Sequence, residues 1–255
     1  MESDIIKEMS ICEKCGLCKE STIGIYHTAK LMGEGPEDAK IMFVGESLGR
    51  EEVMHKKQFV GNYVQPLMDA MRVAGIKREE CFFTKVIKCK TPEGRIPKTS
   101  EMKACVTFLL EEIGRIKPKV ICTLGSTALE AILKRKGLLS IRGKVFETSI
   151  EGVNTLVIPT FSPGYLNKFP EYPQYKEQFF SDIAKVRTVA LTEEYSEGRE
   201  TVKYETVYSL QPLLTYIEKI KTTGKFAYDI ETTGFEFLKD SILSIGLSCS
   251  VGEAI

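Results

Sequence analysis

Apolar runs of strand length alternate with stretches of helical periodicity over most of this chain. Residues 39–45 read Ala-Lys-Ile-Met-Phe-Val-Gly, a buried strand closing on a glycine, and residues 46–50 follow as a loop. Beyond Phe59-Val60-Gly61, the positions Val64, Leu67, Met68, Met71 and Val73 recur on one helical face. A second strand is expected over 81–87. Thr99 or Ser100 is then placed to cap a helix whose apolar set is Met102, Cys105, Val106, Leu109, Leu110 and Ile113. A third strand at 119–125, a helix capped by Ser126 and running to Leu133, a fourth strand at 155–159 and a helix over 174–191 complete the series. Strand, loop and helix in alternation predict an α/β three-layer sandwich with a mostly parallel central sheet. Ligands of such folds sit at the carboxyl ends of the strands, so the loops after Gly45, Ile87 and Pro159 are expected to surround one pocket.

The pattern then breaks. Residues 192–200 are charged and aperiodic, which reads as a linker. A strand over 202–207, a helix over 210–220 and two strands at 226–230 and 242–249 begin a second, incomplete α/β unit. The expected organisation is a domain at 1–190, a linker at 191–201 and a fragment at 202–255.

Composition narrows the chemistry. The chain has 255 residues, is 43% hydrophobic and 27% charged, and has a formal net charge of zero, so no overall field draws it to nucleic acid. Only local clusters, such as Lys56-Lys57, Lys85 with Lys88 and Lys90, or Lys134-Arg135-Lys136, could meet phosphate. No apolar stretch reaches the roughly 20 residues needed to cross a bilayer, and the N-terminus lacks the regions of a signal peptide, so a cytoplasmic protein without a membrane partner is expected. In a reducing compartment the eight cysteines are not expected to pair as disulfides. A short helix over residues 1–20 would present Cys12-x-x-Cys15 to the surface. With Cys89 and Cys105, which flank the polar loop 90–98, these thiols could close a four-thiolate site for zinc or an iron–sulfur cluster. Spacing alone does not choose between them, and Cys18 reads as a neighbouring thiol.

Several motifs carry a resemblance. They are Cys12-x-x-Cys15, Gly35 before Pro36, Val44-Gly45-Glu46-Ser47-Leu48-Gly49, Phe59-Val60-Gly61, Val86-Ile87-Lys88-Cys89, Ala104-Cys105, Leu124-Gly125-Ser126-Thr127-Ala128, Arg142-Gly143 and Pro159-Thr160-Phe161-Ser162-Pro163-Gly164-Tyr165-Leu166. Residues 11–188 resemble the iron–sulfur uracil-DNA glycosylases of the family 4 type. The resemblance implies a uracil-DNA glycosylase-like sandwich in which Cys12, Cys15, Cys89 and Cys105 hold a [4Fe-4S] cluster. It implies Phe59 as the ring that stacks on a flipped base, Glu46 as the carboxylate linked to the hydrolytic water, and a pocket lined by Gly45, Ser47 and Gly49. It also implies DNA as partner, with Arg142 and Leu166 beside it; by their charge, Lys88, Lys90, Arg95 and Lys98, on or next to the loop 90–98, are expected to present one positive face to that DNA. Residues 202–255 resemble the start of a ribonuclease H-like 3′–5′ exonuclease domain of a family A DNA polymerase, through Phe226-Ala227-Tyr228-Asp229-Ile230-Glu231-Thr232-Thr233-Gly234. Asp229 and Glu231, two apart on a strand, would share Mg2+ or Mn2+ in the complete exonuclease. The remainder of a polymerase or other replication proteins are then expected partners. That pairing of domains resembles phage polymerases, which would place the protein in a host cytoplasm.

The chain departs from the glycosylase pattern where the chemistry sits. The position that reads the base edge is normally asparagine and is Lys85 here; the donor to the base oxygen is normally histidine and is Ser162 here. The two residues after the motif glutamate have changed to Ser47 and Leu48. Losing one preorganised oxyanion donor costs on the order of a hundredfold to a thousandfold in rate. The expected function is therefore a DNA-binding domain at the N-terminal part of a DNA polymerase, with base excision impaired or altered. The alternatives are a glycosylase acting on uracil or a modified pyrimidine, and, as a variant, one that uses Lys85 as an amine nucleophile.

Overall fold

Successive residues of β1 (Ile41–Gly45) point to opposite sides, Ile41 and Phe43 one way and Met42 and Val44 the other, and all four are buried. A strand apolar on both faces belongs inside a sheet covered by two layers. The computed structural model describes residues 7–9, 11–20, 22–23, 26–27, 30–192, 203–233, 239, 241–249 and 253–255. The chain divides into two compact units, Met1–Tyr195 and Ser196–Ile255.

In the first unit β1 lies between β2 (Cys81–Lys85) and β3 (Val120–Leu124), parallel to both. β5 (Val153–Thr160) continues the parallel set beside β3, and β4 (Phe146–Ile150) runs antiparallel on the edge, giving the order β2-β1-β3-β5-β4. One face, with Phe43, Phe83, Cys122 and Ile158, packs against α2 (Gln65–Ala74) and α7 (Pro173–Leu191). The other, with Met42, Phe82, Ile121 and Val157, packs against α3 (Thr99–Ile116) and α4 (Ser126–Leu133). This is the expected α/β fold with a mostly parallel central sheet. Shorter helices α1 (Arg50–His55), α5 (Leu138–Ile141) and α6 (Pro163–Lys168) stand in the connections.

Three local expectations are corrected, and two elements stand where none was expected. Thr99 is the first residue of α3 rather than its cap; the carboxylate of Glu101 reaches back to the Lys98 N–H at 2.7 Å. Gly125, not Ser126, precedes α4, with a positive φ of 94° that suits glycine. The edge strand β4 has no counterpart among the expected elements, and of α1 only Arg50 was covered, as the end of the loop 46–50. The N-terminal segment is helical at residues 7–9 and in Leu17–Glu20, with turns between, rather than one helix; residues 1–6 lie outside the described residues.

The second unit holds α8 (Leu210–Thr223) and an antiparallel hairpin of β6 (Ala227–Thr232) and β7 (Ile242–Ser248). Lys203–Tyr204 and Glu253–Ala254 form a further short parallel pair, so the expected strand over 202–207 is shorter than read. Of the expected linker, residues 193–201 lie outside the described residues.

Candidate active site and thiolate cavity

The parallel register sets Lys85, the last residue of β2, opposite Gly45, the last of β1. A side chain on Gly45 would meet Lys85 Cδ at 2.9 Å and Phe59 Cζ at 3.0 Å, so glycine lets these two groups converge at the strand ends. Phe59 is held with a positive φ of 49°, an uncommon state for a bulky residue. Its N–H donates to Glu52 Oε1 at 2.5 Å and its carbonyl accepts from Arg78 at 3.1 Å, which fixes that conformation. Glu52 is fully buried, and its other oxygen accepts from the Gly49 N–H at 2.6 Å. The Gly49-x-x-Glu52 spacing is a capping arrangement at the start of α1, a signal present in the sequence and overlooked.

Lys85 is 2% exposed. Its ammonium lies 3.1 Å from Glu52 Oε1, 3.2 Å from the Tyr63 hydroxyl and 3.5 Å from the centroid of the Phe59 ring. Burial pushes the Lys85 pKa down, and the Glu52 charge acts against that shift. The same burial, with Glu52 adding to it, pushes the Tyr63 phenol up. The ammonium thus covers a face of the ring expected to stack on a base, a cation–π contact inside a desolvated pocket.

Beside this cluster a groove of about 830 Å³ opens at the carboxyl ends of the strands. Glu46, Leu124 to Thr127, Ile96 with Pro97, Leu138 to Ser140, and Phe161, Ser162 and Tyr165 line it. The loop after β3 therefore joins the three loops that were expected. Glu46 accepts a hydrogen bond from the Thr127 hydroxyl, a partner the sequence did not reveal. Ser162 Oγ accepts from the Tyr165 N–H at 3.2 Å and serves as the N-cap of α6. Neither Phe59 nor Lys85 lines the groove. Ser47 and Gly49 follow Glu46, and the Gly49 N–H is the one committed to Glu52.

The surface residues distribute differently from expectation. Lys88 is 1% exposed and cannot belong to a positive face: its ammonium lies 2.6 Å from Glu112 Oε2 and donates to the Thr84 hydroxyl and the Lys85 carbonyl. Leu166 is buried in the core, on α6, which packs against α2. Arg142 is held by the Asp182 carboxylate, and Arg95 by Glu101. Lys90 is half-buried and donates to the Thr91 carbonyl, while Lys98 is exposed.

On the other sheet face Cys12, Cys15, Cys18, Cys89 and Cys105 line one cavity with Met9, Lys30, Lys88, Ala104 and Phe108. Five thiols, not four, meet there. The Lys88 N–H donates to Cys105 Sγ at 3.3 Å. Burial pushes the Cys89 thiol up to about 12 and the Cys105 thiol up to about 11, and raises Cys15 as well. Thiolates in such a place need a cation to form. Among the described residues no three His, Cys, Asp or Glu side chains converge as ligands of a single ion. Thiols gathered in this way have the chemistry that either zinc or an iron–sulfur cluster takes.

In the second unit Asp229 and Glu231 share one face of β6, opposite Gly246 and Ser244 of β7, and both are exposed. Among the described residues no helix is long and apolar enough to cross a membrane.

Comparison with known proteins follows these features. The chain is 33% identical over 193 residues to a type-4 uracil-DNA glycosylase of Archaeoglobus fulgidus, covering 73% of this chain and 92% of that protein. It is 37% identical over 158 residues to a type-4 uracil-DNA glycosylase of Thermotoga maritima, covering 61% of this chain and 81% of that protein. It is also 28% identical over 163 residues to a DNA polymerase of Bacillus phage SP01, which is 64% of this chain but 17% of the polymerase. The family model of the uracil DNA glycosylase superfamily matches residues 32–184, the span of the five-stranded sheet, its flanking helices and the groove, and to that superfamily the chain belongs.

Proposed function

We propose that the first unit is the DNA-holding domain of a DNA polymerase, with its glycosylase fold retained and its base pocket closed to uracil. The observation that carries this reading is the Lys85 ammonium 3.5 Å from the Phe59 centroid, paired with Glu52. A flipped base has to stack on that ring, and displacing a buried ion pair to admit it costs several kcal/mol. Ser162 compounds the loss, since its hydroxyl is engaged with the Tyr165 N–H and replaces the imidazole of the family pattern. The similarity to a phage DNA polymerase supports the polymerase assignment, as does the second unit's paired Asp229 and Glu231, which would bind Mg2+ or Mn2+ in a complete exonuclease.

Cys12, Cys15, Cys89 and Cys105 would hold a [4Fe-4S] cluster, whose part is structural. Those cysteines tie the N-terminal segment to the two sides of the loop 90–98, and that loop forms one wall of the groove through Ile96 and Pro97. A second reading, a glycosylase for another pyrimidine, has one observation in its favour: Glu46 still stands in the groove, oriented by Thr127.

The test measures binding and excision together on anaerobically purified protein, with single-stranded and duplex oligonucleotides containing uracil or modified pyrimidines. Binding without abasic sites supports the proposal. Rapid release of uracil by the unaltered protein overturns it, and abasic sites at a modified pyrimidine alone select the second reading.

A further inference from the structure

Five aromatic residues, Phe161, Tyr165, Phe169, Tyr172 and Tyr175, follow one another at intervals of three or four from the end of β5, through α6, into the first turn of α7. Their rings form a strip that folds back on itself, Tyr175 also meeting Phe161 at 5.3 Å and Tyr165 at 5.6 Å. Phe161 stacks on Tyr165 with centroids 5.3 Å apart, Tyr165 meets Phe169 at 4.7 Å, Phe169 meets Tyr172 at 6.3 Å, and Tyr172 meets Tyr175 at 5.4 Å. At its inner end Phe161 and Tyr165 line the groove. At its outer end Tyr172 is 44% exposed.

Core packing explains only part of this strip. Phe161 is buried, and Tyr165 and Tyr175 pack against the core, but Phe169 and Tyr172 belong to neither core cluster. Pro163, Pro170 and Pro173 stiffen the same stretch, so the outer rings are held in place without being enclosed. Local charge is balanced, Lys168 and Lys176 against Glu171 and Glu177, so phosphate attraction cannot be what the strip offers. Phe169 and Tyr172, the half-buried and the exposed ring beyond the groove-lining pair, match the way unpaired bases are bound without sequence preference, each base stacking on a side chain.

We propose that Phe169 and Tyr172 form a stacking platform that receives single-stranded DNA leaving the groove. This rests on the reading that the groove holds DNA. Its partner is an unpaired strand, because the bases of a duplex have no free faces to offer.

The experiment measures equilibrium binding of an oligothymidylate of about a dozen nucleotides and of a duplex of the same length. It uses the full chain with Tyr172→Ala, Tyr172→Leu, Tyr172→Phe and Phe169→Ser. The platform predicts that Tyr172→Ala and Phe169→Ser each weaken single-strand binding on the order of tenfold. Tyr172→Phe retains affinity, Tyr172→Leu does not, and the salt dependence and duplex affinity stay as in the unaltered protein. Unchanged single-strand binding in both Tyr172→Ala and Phe169→Ser overturns the platform and leaves the DNA-holding groove standing. If the unaltered protein binds no DNA, the DNA-holding reading falls and the platform with it. Binding of a proline-rich peptide in place of the oligothymidylate would assign the strip to a protein partner and overturn the proposal.

Discussion

Lys85 was legible as a departure from the family pattern, but its consequence was not. The residues that hold it, Glu52 and Tyr63, come from α1 and from the turn before α2, and only the fold brings them to the end of β2. Replacing Lys85 by Asn should uncover the Phe59 ring while leaving Glu52 its two backbone donors. The expected stability cost is therefore moderate, about 2 kcal/mol by denaturant titration. A second residue-scale prediction concerns the core thiols. Burial pushes Cys81 up to about 12 and Cys122 well above its ordinary value of 9.0. The folded chain keeps these protons where the unfolded chain releases them, so their contribution is fully present below pH 9 and is lost as pH rises above it. The stability of Cys122→Ala, followed by thermal melts from pH 8 to 10.5, should fall less steeply than that of the unaltered protein, by up to about 1.4 kcal/mol per pH unit. Lys88 shows the limit of reading charge from sequence: a lysine near a polar loop looks like surface, and its buried partner Glu112 lies 24 positions away.

At the scale of elements, β1 and β3 were readable because every residue is buried and the runs are apolar but for Thr123. The edge strand β4 escaped because Glu147, Thr148 and Ser149 make it polar and its pairing with β5 leaves one side open to water. The buried pair between β2's extension and α3 carries a prediction. Glu112 accepts from Lys88, from the Thr84 hydroxyl and from the Gly33 N–H. Glu112→Ala should destabilise by about 3–5 kcal/mol, and pairing it with Lys88→Met should recover much of the loss, because the lone buried ammonium is then removed. The thiolate cavity joins the N-terminal turn to the same region. Protein purified without air should be brown with about four irons and four sulfides per chain. Cys89→Ser should lose the colour, Cys18→Ser should keep it, and stoichiometric zinc would contradict the assignment to a cluster.

For the whole molecule, the alternation of strands and helices makes the layers legible, and the strand ends mark where the groove opens. Neither shows the seating of Lys85 on the Phe59 ring, which depends on a positive φ at Phe59, a glycine at 45 and a carboxylate buried behind both. The second unit exposes Tyr228, Ile230 and Ile245 on its hairpin, with Asp229 and Glu231 on the other face. The central claim, that Lys85 rather than a base occupies the Phe59 ring, is tested most directly by one ratio. Single-turnover excision of uracil from a single-stranded oligonucleotide is measured for Lys85→Asn/Ser162→His and for Ser162→His alone, so that the restored donor is common to both. The account predicts that removing the lysine raises the rate by at least about tenfold, the equivalent of 1.4 kcal/mol in the barrier. A rate equal to or below that of Ser162→His alone, in variants that melt as folded proteins, would contradict it.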